Sequence, residues 1–250
     1  MTVFPILAFA ALSLAVAQPA LADTVLPTFN PGNFSGNPVI TSSYFPVVVG
    51  QERTYVSAPA NERYILTALG SGPVIFGVKT FTVRDQSFEG NRIAENTFDY
   101  YSQDRAGNVW YLGEDVINYV YDRAGNLIET NKSSSWRAGV NGARPGYIMP
   151  ADRTIGFSYY QEHAPNDAAL DEGTTIAVLP TFSTGRATYR NVLQVLETSD
   201  IDPQARGFKY YAPGLGLIYE EEGLRPNSKN PRQGFVLTTI TTATNTTNSR

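Results

Sequence analysis

The side chains of this sequence best suited to chemistry are carboxylates. Asp99, Asp104, Glu114, Asp115, Glu162, Asp167, Asp171 and Glu172 lie within or near aromatic-rich stretches. A facing carboxyl pair about 5–9 Å apart is the machinery of glycoside hydrolysis, one group protonating the leaving oxygen while the other serves as base or nucleophile. Glu114 and Glu162 are the candidate catalytic pair, because they lie beside Trp110-Tyr111 and Tyr159-Tyr160. The competing expectation is that such carboxylates solubilise a β protein or cap its turns.

Other catalytic routes are narrower. His163 is the only histidine, so a His-rich zinc site or a Ser-His-Asp triad would have to be built on one imidazole. A strand-end residue half in solvent is the plainer reading of it. No Gly-x-Ser-x-Gly elbow occurs, since Gly70-Ser71-Gly72 and Ser183-Thr184-Gly185 lack the spacing. The absence of Cys removes disulfides, thiolate ligands, a thiol nucleophile and a lipid-bearing cysteine. No cofactor and no metal are expected.

Two identical pentapeptides, Asp104-Arg105-Ala106-Gly107-Asn108 and Asp122-Arg123-Ala124-Gly125-Asn126, raise the question of calcium. An EF-hand loop needs alternating Asp/Asn and a Glu at its twelfth position, and neither pentapeptide supplies them. Asp at the first turn position and Gly three residues on predict hairpin turns instead. Their spacing predicts turns at the same end of a meander, with an opposite turn near Gly113-Glu114-Asp115.

The elements that position these groups read as strands. The chain carries 15 Tyr and 13 Phe, frequent Val, Ile and Thr, and regular Gly or Pro punctuation, which favours strands over helices. Two-residue alternation predicts strands at Tyr64–Leu69, Val74–Val83, Asn96–Gln103, Asn108–Leu112, Ile117–Tyr121, Leu127–Lys132, Phe157–Glu162, Thr174–Leu179, Tyr189–Leu196, Gly207–Tyr211 and Gly216–Glu221. Strands so closely spaced are antiparallel neighbours. The expected fold is therefore mainly β: a single antiparallel curled sheet, half-barrel or barrel with one long irregular loop. A short helix is placed only around Asp167–Glu172.

That loop is Trp136–Ala151, dense in Gly and Pro yet containing an indole, and it reads as a pocket wall or a plug over one end of the sheet. Pairs such as Tyr100-Tyr101, Trp110-Tyr111, Tyr159-Tyr160 and Tyr210-Tyr211 place one ring on each face of their strands. Candidate ligand-binding residues are Trp110, Trp136, Tyr147, Met149 and Tyr160, for a small molecule that is apolar or stacks on aromatic rings.

The ends of the chain differ in character. An uncharged apolar run from Val3 to Val16 leads into Ala20-Leu21-Ala22 before Asp23, the pattern of a secretory signal. The run is too short for a transmembrane span. The organisation expected is a signal peptide over 1–22, an extended arm over 23–38, an antiparallel β domain over 39–240 and a flexible tail over 241–250. The localisation implied is secreted or periplasmic. With 19 basic and 23 acidic residues and a formal charge of −4, there is no basic patch for nucleic acid or anionic lipid.

Several motifs together resemble a family of uncharacterised exported bacterial envelope and secreted β proteins. They are Tyr44-Phe45-Pro46 with Gly50, Asp99-Tyr100-Tyr101-Ser102-Gln103-Asp104, Gly107 through Glu114, Trp136 through Ala151, Gln161-Glu162, and Lys209 through Leu217. The resemblance covers most of Val39 to Glu222 and implies a location rather than a reaction. The Tyr-Ala-Pro-Gly-x-Gly-Leu segment is also similar, at the level of fold, to half-barrel lipoprotein carriers. Three functional expectations follow: a non-catalytic binding or envelope-associated protein, a carboxylate-dependent hydrolase of polysaccharide, or a structural interaction protein.

Overall fold

The computed structural model describes residues 23–57, 61–202, 205–224 and 233–242. The signal peptide read over 1–22 and residues 243–250 of the expected tail lie outside the described residues.

Among these residues, strands account for nearly all regular structure. In chain order they are β1 (Gln51–Ser57), β2 (Glu62–Ile75), β3 (Val78–Glu89), β4 (Arg92–Gln103), β5 (Val109–Tyr121), β6 (Leu127–Asn131), β7 (Trp136–Arg137) and β8 (Arg144–Met149). Then come β9 (Ser158–Tyr160), β10 (Glu162–His163), β11 (Asp171–Ser183), β12 (Thr188–Ser199), β13 (Arg206–Ala212), β14 (Gly216–Glu222) and β15 (Gln233–Thr242). They form one antiparallel sheet in the order β10, β8, β5, β4, β3, β2, β1, β15, β14, β13, β12, β11, β9, with β6 and β7 also paired to β5.

The two ends of that order meet in one stretch of chain. Residues 158–160 pair with β11 and residues 162–163 with β8, so the segment 158–163 changes partner across Gln161. The sheet is thereby nearly closed into a barrel with an unsealed seam. At the seam, the backbone of Tyr160 lies so close to Gly146 that a Cβ there would collide with its carbonyl. The free side of β9 is covered by the N-terminal arm, where Val25 donates to Ser158 O and accepts from Tyr160 N, both at 3.0 Å. Phe29 and Phe34 of the arm pack on Trp110. No helix among the described residues is long and apolar enough to cross a membrane.

Several local expectations are corrected. No turn occurs at Gly113-Glu114-Asp115. These residues lie inside the single strand β5, so the two pentapeptide turns sit at its opposite ends. Gly113 marks a bulge, with φ +143° and no room for a side chain, since a Cβ there would collide with Trp136 O. Val74–Val83 is not one strand, because Phe76 and Gly77 take positive φ and turn β2 into β3. Trp136–Ala151 is less irregular than its composition suggests: it folds back as β7 and β8 along β5. The helix placed at Asp167–Glu172 is instead a 3-10 turn, Pro165–Asp167, followed by β11. β15 extends through Thr242 because β1 supplies its partner, so the Thr-rich start of the expected tail is paired strand.

Candidate functional site

Alternation on β2, β3 and β4 sends every second residue into the barrel. On β2 these are Glu62, Tyr64, Leu66 and Ala68; facing them on β3 are Glu89, Ser87, Asp85 and Val83. From β4 come Glu95, Asp99 and Tyr101, and from β13 Lys209 and Tyr211. The register grades the wall from acidic at Glu62 and Glu89, through Leu66 and Asp85, to apolar at Ala68 and Val83. The lumen holds a cavity of about 440 Å³. Phe45–Val48 ahead of β1, Ile148 of β8 and Leu217 of β14 complete its apolar portion.

Lys209 is the cation at the centre of this acidic wall. Its Nζ stands 2.8 Å from Glu197 and 3.4 Å from Glu220. Burial works against its charge, but these two carboxylates outweigh it and hold the amine protonated. Each partner is braced in turn: Gln161 donates to Glu197 at 2.8 Å and the Tyr64 hydroxyl to Glu220 at 2.8 Å.

Beside it lies a second layer of carboxyls. Asp99 and Glu114 are direct cross-strand partners, and the hydroxyl oxygen of Tyr111 lies 2.6 Å from Asp99 Oδ1 and 2.8 Å from Glu114 Oε2. A phenol has one proton to donate. Both contacts are hydrogen bonds only when one of the carboxyls is protonated and donates back. Burial, reinforced by the charge of Asp99, pushes Glu114 up to about 8, while Asp99 is raised by burial to about 6. Glu114 therefore keeps its proton at neutral pH. Glu162 is raised by burial and then by the charge of Glu114, and its Oε2 accepts from the Trp136 indole at 2.6 Å.

The two carboxyls singled out from the sequence, Glu114 and Glu162, are thus brought into one electrostatic cluster. Neither lines the cavity. Tyr147, Trp110, Trp136, Met149 and Tyr160 do not line it either. Trp110 is packed against Phe29, Phe34 and Tyr147 and donates to Asp104 at 2.8 Å. Met149 is fully buried, and Tyr160 turns its hydroxyl to Asp200 and its ring to His163. The aromatic pairs do divide by face: Tyr101 and Tyr211 line the cavity, while Tyr100 bonds Asp115 and Tyr210 stacks on Phe182.

Sequence reasoning missed the acids of the wall itself, Asp85, Glu95, Glu220 and Glu222, along with Lys209 as their counter-ion. The signal was available in alternation: on β3 the polar series Asp85, Ser87, Glu89 falls in phase with Val83. Among the described residues no group of three carboxylates or imidazoles converges closely enough to hold a metal ion.

No protein family matches this chain, and no curated protein is similar to it. Solved structures are similar at low identity. One is a protein from Bacteroides fragilis inferred to be exported, with a YmcC-like fold; it shares 12% identity at a TM-score of 0.42, over 80% of this chain and 99% of that one. Another, from Parabacteroides distasonis, is inferred to be a lipoprotein and shares 11% identity at a TM-score of 0.40, over the same fractions. Neither likeness bears on the chemistry of the lumen.

Proposed function

We propose that this chain is an exported, non-catalytic binding protein that holds a small amphiphilic molecule inside its barrel. The observation that carries this reading is the lumenal cavity. Its volume of about 440 Å³ falls within the few hundred Å³ of small-molecule sites, and its wall is divided between apolar side chains and a set of mostly acidic ones. The acidic half argues for an amphiphile over a wholly apolar lipid, since a hydrocarbon would leave those groups desolvated and unpaired. Export is supported by the apolar run ending in Ala20-Leu21-Ala22.

The hydrolase reading draws on the clustered Glu114 and Glu162. It is weaker because both are walled off from the cavity, and general acid catalysis needs hydrogen-bond reach of the substrate. The test is native mass spectrometry of protein purified from its own compartment, beside an Ala68→Phe variant that fills the apolar end. A small molecule retained by the wild type and lost from the variant is expected. Wild-type protein that carries none, and whose melting temperature responds to no amphiphile, overturns the reading.

A further inference from the structure

One carboxylate in the lumen has no hydrogen-bond partner among the described residues. Asp85 lies at mid-height of the β2–β3 ladder, opposite Leu66 and Thr97. Its Oδ1 is buried and accepts no hydrogen bond, although the side chain borders the cavity. The charges that bear on it most strongly are of its own sign, Asp99, Glu95 and Glu220, with Lys209 opposing them less. Burial and those three carboxylates raise its affinity for a proton well above the ordinary aspartate range. Lys209 is already committed to Glu197 and Glu220. A buried acceptor without a donor costs about 1–3 kcal/mol, and native structures rarely keep one without use.

The cavity lining as a whole is short of cations, with seven carboxyl groups against Arg53, Arg63 and Lys209. Arg53 bonds Gln51 and Pro46 O, and Arg63 bonds Gly90 O. The missing positive charge is not read as a metal ion, because a divalent cation needs several oxygens at about 2.0–2.6 Å from one point and no such convergence exists among the described residues. An ammonium group suits the arrangement better. It has three donors on a compact charge that can be shared among separated acceptors. Lys209 shows the same solution already built in protein, an alkylammonium half-buried between carboxylates at 2.8 and 3.4 Å.

We propose that the lumenal ligand is a primary alkylamine, its ammonium donating to Asp85 and facing Glu95 and Asp99, its apolar body lying along Leu66, Val83 and Ile148. This rests on the binding reading above and gives that ligand its chemical class. Tyr101 and Tyr211 border the same space.

The test is calorimetric titration of the full chain with four probes of one chain length: n-octylammonium, octyltrimethylammonium, octanol and octanoate. Octylammonium is expected to bind at least about tenfold more tightly than octanol, the scale of one charge-assisted hydrogen bond, and octanoate more weakly than either. Octyltrimethylammonium keeps the charge but has no N–H, and should lose most of that advantage. Asp85→Asn, nearly isosteric, should cut octylammonium affinity about tenfold and leave octanol unchanged. Should Asp85→Asn fail to fold, the ranking of the four probes on the wild type decides alone. Equal binding of octanol and octylammonium, or tighter binding of octanoate, overturns the amine assignment while leaving a binding lumen in place. Binding of none of the four, with no molecule retained in the native preparation, overturns both.

Discussion

The indole of Trp136 donates a 2.6 Å hydrogen bond to Oε2 of Glu162, joining a residue of β7 to one of β10. The bond is buried at both ends, with Trp136 2% and Glu162 7% exposed. It supplies a donor to a carboxyl that burial and Glu114 press toward its protonated form. Trp136→Phe keeps most of the ring and removes the donor. We expect a loss of about 2 kcal/mol in urea unfolding, the cost of stranding a buried acceptor. Adding Glu162→Gln should recover part of that loss, because the amide carries no charge to desolvate. A double variant that unfolds as easily as the sum of its singles would mean that the two side chains do not depend on one another.

The carboxyl cluster gives stability a definite pH dependence. In the folded chain Asp99 is raised to about 6, Glu222 to about 7 and Glu114 to about 8, burial being the leading cause in each case. The unfolded chain releases the same protons near pH 4. Over the interval between, the folded state binds more protons than the unfolded state, so stability falls as pH rises. Melting temperature should therefore increase from pH 8 to pH 5 at fixed ionic strength. Glu114→Gln should flatten the upper part of that slope, between about pH 7 and 8. Asp115 works in the opposite sense. Partial burial opposes its charge, but bonds from Arg137 and Tyr100 outweigh it and hold the carboxyl below its usual range, so its contribution is lost only at more acidic pH. A melting temperature flat from pH 5 to 8 would show that the lumen hydrates these groups.

Lys209 offers a sharper test of how the wall is balanced. Lys209→Met keeps the aliphatic stem and deletes the charge that Glu197 and Glu220 share. Removing one member of a half-buried ionic group leaves the others uncompensated, which costs about 1–3 kcal/mol, less than for a fully buried group. Adding Glu197→Gln should recover part of that loss by removing one of the orphaned charges. Equilibrium denaturation of the single and double variants measures it. A double variant no more stable than Lys209→Met would assign the effect to packing of the stem instead of to charge.

How much of this was legible in the sequence depends on the range of the signal. Alternation within single strands is local, and it placed most of the strands around the barrel. It failed where a glycine admitted two meanings. Gly113 reads as a turn but serves a bulge under Trp136, and Gly77 ends a strand that apolar residues on both sides disguise as continuous. The Trp136–Ala151 segment reads as irregular because its glycines answer to distant parts of the chain, Gly139 to the Phe76 ring and Gly146 to the Tyr160 backbone. The site was least legible for the same reason. Asp85 comes from a strand far in sequence from the hairpin that carries Lys209 and Glu220, and nothing local shows that they share a lumen until the sheet has closed.

The repeated pentapeptide isolates what tertiary context adds to a local motif. Both copies fold alike: Asp104 Oδ1 accepts from Asn108 N and Oδ2 from the Asn108 amide, at 2.9 and 2.8 Å, and Asp122 treats Asn126 the same way at 2.9 and 3.0 Å. Gly107 and Gly125 take φ of +94° and +88° in the two turns. Only Asp104 is buried, and only it also accepts from the Trp110 indole, at 2.8 Å. Asp104→Ala should therefore cost about 2–4 kcal/mol, combining a lost turn with a stranded buried donor. Asp122→Ala removes a solvent-exposed turn bond and should leave the unfolding midpoint nearly unchanged. Parallel denaturation of the two variants compares identical sequence in different surroundings. Equal losses would place the stabilisation in the turn itself, and the Trp110 bond would then contribute little.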